Sequence, residues 1–121
     1  MLKKIFTGLS AALLLAGSGC SCGKKNGVVM EKNAILVDVR SVEEYNSGFL
    51  KGAVNIPHTL IGDRIGSIAP DKKTPLYLYC RSGRRVGVAM ESLKAGGYTI
   101  MYNLGGLEEA RRKLDLPVVK P

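Results

Sequence analysis

Cys80 is followed by Arg81, Ser82, Gly83, Arg84 and Arg85. An apolar run, Pro75 to Tyr79, leads straight into the cysteine, and a helical pattern begins at Arg84. A loop running from a strand end into a helix N-terminus turns backbone N–H groups inward and forms an anion-binding nest, to which the helix dipole adds. Ser82 and Gly83 are small enough for the backbone to wrap closely. Three guanidinium groups stand within five residues of the sulfur. Comparable settings lower a cysteine pKa from ~8.5 to ~3.5–7.5. Such a thiolate is nucleophilic without a general base, and the single histidine, His58, is distant in sequence. The same cradle binds an oxyanion and stabilises charge that moves during reaction. The expectation is a nucleophilic Cys80 acting on a small anion held by Arg81, Ser82, Gly83, Arg84 and Arg85. That anion is a sulfur oxyanion, a phosphate or an arsenate.

Loop length separates these substrates. Cysteine phosphatases use C-x5-R, but here that position is Val86, and Arg84 and Arg85 fall at C-x3-R and C-x4-R. The shorter ring suits an extra sulfur atom on Cys80 better than a tetrahedral phosphate. The plainer readings are an inert core thiol and a solvated helix start. Cations at a helix N-terminus oppose its dipole, so the arginines argue for a bound anion. Asp38 lies within an apolar run and must be hydrogen-bonded. It forms either a structural ion pair with Arg40 or a support for the site. Glu43 and Glu44 read as residues that cap and solvate their helix. Packing is the default for Tyr77 and Tyr79, and an exposed turn for Lys72-Lys73.

The elements that must position this loop are readable. Ala34 to Val39 is a continuous apolar run of the kind found in buried parallel strands. Ser41 with Glu44 three residues on is a capping box that opens a short helix, ended by Gly48. Ala53 to Ile56 is a short strand closed by Pro57. Thr59 is placed to cap a helix with Ile61, Ile65 and Ile68 on one face, stopped by Pro70. Pro75 to Tyr79 is the strand before the cysteine. Arg84 to Ala95 is a helix with Val86, Met90 and Leu93 on one face, and Gly96-Gly97 supplies its exit. Tyr98 to Asn103 reads as a last strand and Leu107 to Leu114 as a last helix. The alternation predicts an α/β fold. It is a single domain with a mostly parallel sheet of about five short strands and helices on both faces. Ligands bind beyond the carboxyl ends of such strands, where the Cys80 loop lies.

The chain has 121 residues, one domain at most, and a formal net charge of +8. Four of its 18 basic residues precede Val28, leaving 14 against 10 acids in the rest. No basic helix or aromatic-interleaved patch accompanies that excess, so nucleic acid is not an expected partner. Residues 1–19 have the order of an export signal. Lys3 and Lys4 are followed by an uncharged run from Ile5 to Ala16 and then by small residues. That run is too short to span a membrane, which takes ~20 apolar residues. Residues 20–27 read as a polar tether and 28–121 as the domain. With two of its three cysteines in the leader and tether, Cys80 has no evident disulfide partner. The same arithmetic leaves too few ligands for a structural zinc site, and no metal or organic cofactor is expected.

Two resemblances extend this reading. Leu15-Ala-Gly-Ser-Gly-Cys20 resembles a bacterial lipobox. The resemblance implies lipidation at Cys20 and a periplasmic or cell-envelope location. Gly17 stands where the lipobox usually has a large apolar residue; cleavage after Ser18 is the competing outcome, and Cys22 is a second candidate. Leu36-Val-Asp-Val-Arg40, Gly52-Ala-Val-Asn-Ile-Pro57, Tyr79-Cys-Arg-Ser-Gly-Arg-Arg85, Gly97-Tyr98 and Leu104-Gly-Gly-Leu107 resemble a single-domain rhodanese, over Ala34 to Leu114. That resemblance implies thiosulfate sulfurtransferase chemistry through a persulfide on Cys80. Residues 81–85 would be the cradle, Asp38 and Arg40 the supports, and a thiol or cyanide the acceptor. A monomer is expected. Many members carry Gly-His-Ile where this chain has Gly48-Phe49-Leu50. That histidine is not the nucleophile, so the chemistry is expected to stand. The other classes are a non-catalytic module that binds anions or a partner, and a cysteine phosphatase or arsenate reductase.

Overall fold

The computed structural model describes residues 28–121. The expected export segment and Cys20 lie outside the described residues. The described elements are β1 (Ile35–Asp38), α1 (Val42–Asn46), β2 (Phe49–Leu50), β3 (Val54–Asn55), α2 (Ile61–Ile68), β4 (Leu76–Cys80), α3 (Arg84–Ala95), β5 (Met101–Gly106), α4 (Leu107–Leu114) and β6 (Val118–Val119). Four strands form one parallel sheet in the order β3-β1-β4-β5. The other two, β2 and β6, pair antiparallel as a separate ribbon, with Phe49 opposite Val119. The sheet thus has four strands where about five were expected. The short Phe49–Leu50 segment finds its partner at the far end of the chain and not at the sheet edge.

Strand alternation divides the interior in two. Val37, Val39, Leu76, Leu78 and Cys80 point to one face, where Ile61 and Ile65 of α2 and Val86, Ala89 and Leu93 of α3 pack on them. Leu36, Tyr77 and Tyr79 point to the other face, against Leu104 and against Ala110 and Leu107 of α4. Successive strand residues face opposite sides, so both faces of a sheet covered by helices are apolar. All five residues of β4 are buried. The central strand therefore delivers Cys80 from a fixed base.

Two expectations shift. α2 starts after Leu60 and no side chain caps it, so Thr59 does not serve that role. A turn from Pro57 comes first, closed by the Leu60 N–H on the Pro57 carbonyl at 2.9 Å, and it delays the helix. The last parallel strand begins at Met101 and not at Tyr98. Tyr98 is buried, but it packs in the α2–α3 core ahead of the strand.

Candidate functional site

β4 ends at Cys80 and α3 starts at Arg84, so Arg81, Ser82 and Gly83 form the whole connection. Gly83 takes φ +93°, a left-handed conformation that glycine adopts without strain. That turn aims its N–H back at the cysteine, and it donates to the Cys80 Sγ at 2.8 Å. Cys80 is fully buried, and it is a free thiol. Val86, at the position where a phosphatase loop needs arginine, is fully buried in the core.

β5 braces the loop from the side. Asn103 accepts the Gly105 N–H at 2.8 Å and donates to the Gly83 carbonyl at 3.4 Å. Gly106 pairs with Cys80 across the sheet and lies directly against the Arg81 carbonyl. Asn103 was not singled out from sequence. Its role depends on a strand pairing that spacing along the chain does not reveal.

The three arginines part company. Arg85 is half-buried and forks onto Glu44, with Nη1 to Oε1 at 2.8 Å and Nη2 to Oε2 at 3.1 Å. Arg81 is 77% exposed and reaches the same carboxylate at 3.4 Å. Arg84 is exposed, and it pairs with no carboxylate among the described residues. Ser82 is exposed at the loop tip.

Glu44 does close the expected capping box with Ser41. It also holds the arginines, which its place three residues after Ser41 gave no reason to expect. The Arg85 hydrogen bonds pull its carboxyl pKa down to about 2 against the opposing push of desolvation, helped by the Ser41 N–H. Arg85 in turn is raised, first by the Glu44 hydrogen bonds and, more weakly, by the charge of Glu44 and of the Cys80 sulfur.

Asp38 and Arg40 form a buried pair. Arg40 Nε contacts both carboxylate oxygens at 2.9 and 3.0 Å, and Nη2 reaches Oδ2 at 2.6 Å. The same Nη2 donates to the Gly48 carbonyl at 2.6 Å, tying the end of β1 to the far end of α1. Fork geometry and a third partner satisfy charges that burial would otherwise penalise. Tyr79 lies beneath, with the Arg40 guanidinium 5.8 Å from its ring centre. Its hydroxyl accepts the Leu50 N–H at 3.0 Å, and burial raises its pKa. His58 sits in the turn after β3, its N–H on the Val39 carbonyl.

A cleft of about 590 Å³ opens beside Arg81, the first residue of the loop. Arg40, Glu44, Ser47 and Arg81 line it together with Gly106 and the first turn of α4. Of the loop arginines, Arg81 alone lines it. Among the described residues no cluster of His, Cys, Asp and Glu could hold a metal ion.

Known proteins resemble this chain in sequence and in fold. The rhodanese-like domain profile matches residues 25–113. Thiosulfate sulfurtransferase PspE of Escherichia coli is 39% identical over 84 residues, which is 69% of this chain and 77% of that protein. A sulfurtransferase of Allochromatium vinosum is 34% identical over 90 residues, 74% of this chain and 82% of that protein. A solved rhodanese from E. coli, described with anions, superposes with a TM-score of 0.66 at 38% identity. It covers 73% of this chain and 99% of its own. With profile, relatives and fold in agreement over the segment that carries Cys80, the chain belongs to the rhodanese-like domain family.

Proposed function

We propose that this protein is a thiosulfate sulfurtransferase with Cys80 as the sulfur carrier. The observation that carries the reading is the Gly83 N–H on the Cys80 Sγ at 2.8 Å, in a loop that starts an arginine-bearing helix. A directed N–H and a helix N-terminus suit an anionic persulfide at this sulfur.

The reaction runs in two displacements. The Cys80 thiolate attacks the outer sulfur of thiosulfate, the S–S bond of the donor breaks, and sulfite leaves with the bonding electron pair. Cys80 then carries a persulfide with one negative charge. A thiolate or cyanide attacks the outer persulfide sulfur, and the Cys80 thiolate is returned. No proton or electron is left over in either step. Arg81 faces the incoming donor. The family relationship to sulfurtransferases supports a donor and acceptor of this kind. The buried Val86 speaks against a phosphatase, which needs a cation there.

Intact mass spectrometry after incubation with thiosulfate tests the reading. A gain of one sulfur atom is expected. It should be removed by cyanide or excess thiol and absent in Cys80→Ser. No gain on a reduced, free thiol overturns thiosulfate as donor. Tight anion binding retained in Cys80→Ala would then favour a binding module.

We further propose that residues 1–19 direct export and that Cys20 is lipidated, placing the domain at the cell envelope. The Lys–apolar–small order and the Leu15-to-Cys20 segment support this. Mass spectrometry of the mature N-terminus decides it; an unmodified chain starting before Cys20 overturns lipidation.

A further inference from the structure

Glu44 is an acid at the rim of a site whose substrate is anionic, and it spends its charge on the site's own cations. Its Oε1 accepts the Ser41 N–H and the Ser41 hydroxyl, each at 3.1 Å, and Arg85 Nη1 at 2.8 Å. Its Oε2 accepts Arg85 Nη2 at 3.1 Å and Arg81 Nη1 at 3.4 Å. The capping box therefore fixes the carboxylate before either arginine arrives. A fork of two parallel N–H···O bonds sets the plane of a guanidinium as well as its position. Arg85 lies in the first turn of α3, where the helix dipole opposes a cation, and Glu44 offsets that cost. Arg81 has one long bond, and its side chain is 77% exposed.

We propose that Glu44 is a positioning residue that divides the work of the loop arginines. It fixes Arg85 in the first turn of α3, where the Cys80 loop ends, and leaves Arg81 as the loosely held cation that meets the donor. The role rests on the sulfurtransferase reading for its substrate, but its geometry does not. Arg85 then stabilises the charge on the sulfur and the persulfide. Arg81 exchanges its long contact with Glu44 for the incoming anion.

Two readouts on the full chain test this. The first is the rate of Cys80 persulfide formation as a function of thiosulfate. Glu44→Gln and Arg85→Gln should each lower the maximal rate by about tenfold, and the double variant should fall no further than Arg85→Gln, as coupled neighbours do. Arg81→Gln should instead raise the half-saturating thiosulfate concentration by about tenfold and leave the maximal rate near that of wild type. The second readout is the ratio of Cys80 alkylation by anionic iodoacetate to that by neutral iodoacetamide, followed on the Cys80 peptide by mass spectrometry. If Glu44 acts only as a charge, neutralising it raises that ratio. If Glu44 positions Arg85, the ratio falls. Glu44→Asp keeps the charge and shortens the reach, so it should behave as Glu44→Gln does; it also serves where the larger change impairs folding.

A risen ratio in Glu44→Gln, a wild-type ratio in Glu44→Asp, or additive losses in the Glu44–Arg85 cycle overturns the proposal. The two readings fail separately. Absence of persulfide in the wild-type protein, with the expected alkylation pattern, would sink the thiosulfate reading and leave the positioning role standing. Persulfide formation with a risen ratio would do the reverse.

Discussion

Gly106 meets the backbone carbonyl of Arg81 so closely that a Cβ on the glycine would overlap the Arg81 oxygen. The constraint is steric, because Gly106 has an ordinary φ of −85°. The neighbour is backbone of the loop that holds Cys80, so relief must come from the loop. Gly106→Ala should lower the rate of persulfide formation by at least about tenfold, as small displacements at a reacting centre do. It should cost about 1–3 kcal/mol of stability, as overpacking does. Gly87→Ala is the control, since an added Cβ there meets nothing within 4 Å and lies in α3. It should stabilise by about 0.4–1 kcal/mol and leave the rate unchanged. Urea unfolding and persulfide formation on both variants check the pair. A wild-type rate in Gly106→Ala would show that the loop is not seated on β5.

The Asp38–Arg40 pair yields a second prediction. Both side chains are buried, and their charges face each other, with the Gly48 carbonyl as a further partner of Arg40. Removing one partner of a buried pair strands the other, at about 3–5 kcal/mol. Asp38→Ala should lose that much in urea unfolding. Asp38→Ala combined with Arg40→Met should recover a large part of it, because no charge is then left buried. If the double variant is as unstable as the sum of the singles, the pair does not act as a unit.

Where the fold was legible, the signal was local. Arg84–Ala95 lies as its apolar spacing and the following Gly96-Gly97 require, and Leu107–Leu114 is the last helix as expected. The Ser41–Glu44 box spans a single turn. The shortfalls involve partners far apart in the chain. Phe49–Leu50 is too short to announce itself as a strand, and it exists through Val118–Val119 at the other end. The last strand, expected over Tyr98 to Asn103, lies at Met101–Gly106, because Tyr98 packs in the core ahead of it and the pairing that seats Gly106 beside Cys80 is not visible along the chain. At the site, the cysteine and its loop follow from chain order. Which arginine faces what does not, because Glu44 approaches from 41 residues away.

That sorting makes Arg84 a third test. Three arginines in five residues look equivalent in the sequence, but Arg84 neither lines the cleft nor pairs with a carboxylate among the described residues. Exposed substitutions away from such contacts shift energies by about 0.5 kcal/mol or less, roughly twofold in rate. Arg84→Ala should stay within that limit for both the maximal rate and the half-saturating thiosulfate concentration. A tenfold loss would return Arg84 to the anion cradle.

The Glu44–Arg85 pair also sets an acid limit on stability. The Glu44 carboxyl is held at about 2, below its ordinary 4.5, chiefly by the Arg85 hydrogen bonds. A group with a depressed folded-state pKa binds protons more readily when unfolded, so the stability it contributes rises with pH. Its contribution is complete above about pH 4.5 and disappears as pH falls towards 2. The pair is partly open to solvent, with the two side chains 28% and 23% exposed, and screening reduces it to about 1 kcal/mol. Glu44→Gln should therefore be about 1 kcal/mol less stable than wild type at pH 7. The gap should narrow between pH 4.5 and 2 and close at the acid end. Urea unfolding of both proteins at pH 7, 4 and 2.5 checks this. A gap that stays constant across the series would mean that Glu44 contributes through the shape of its helix cap and not through its charge on Arg85.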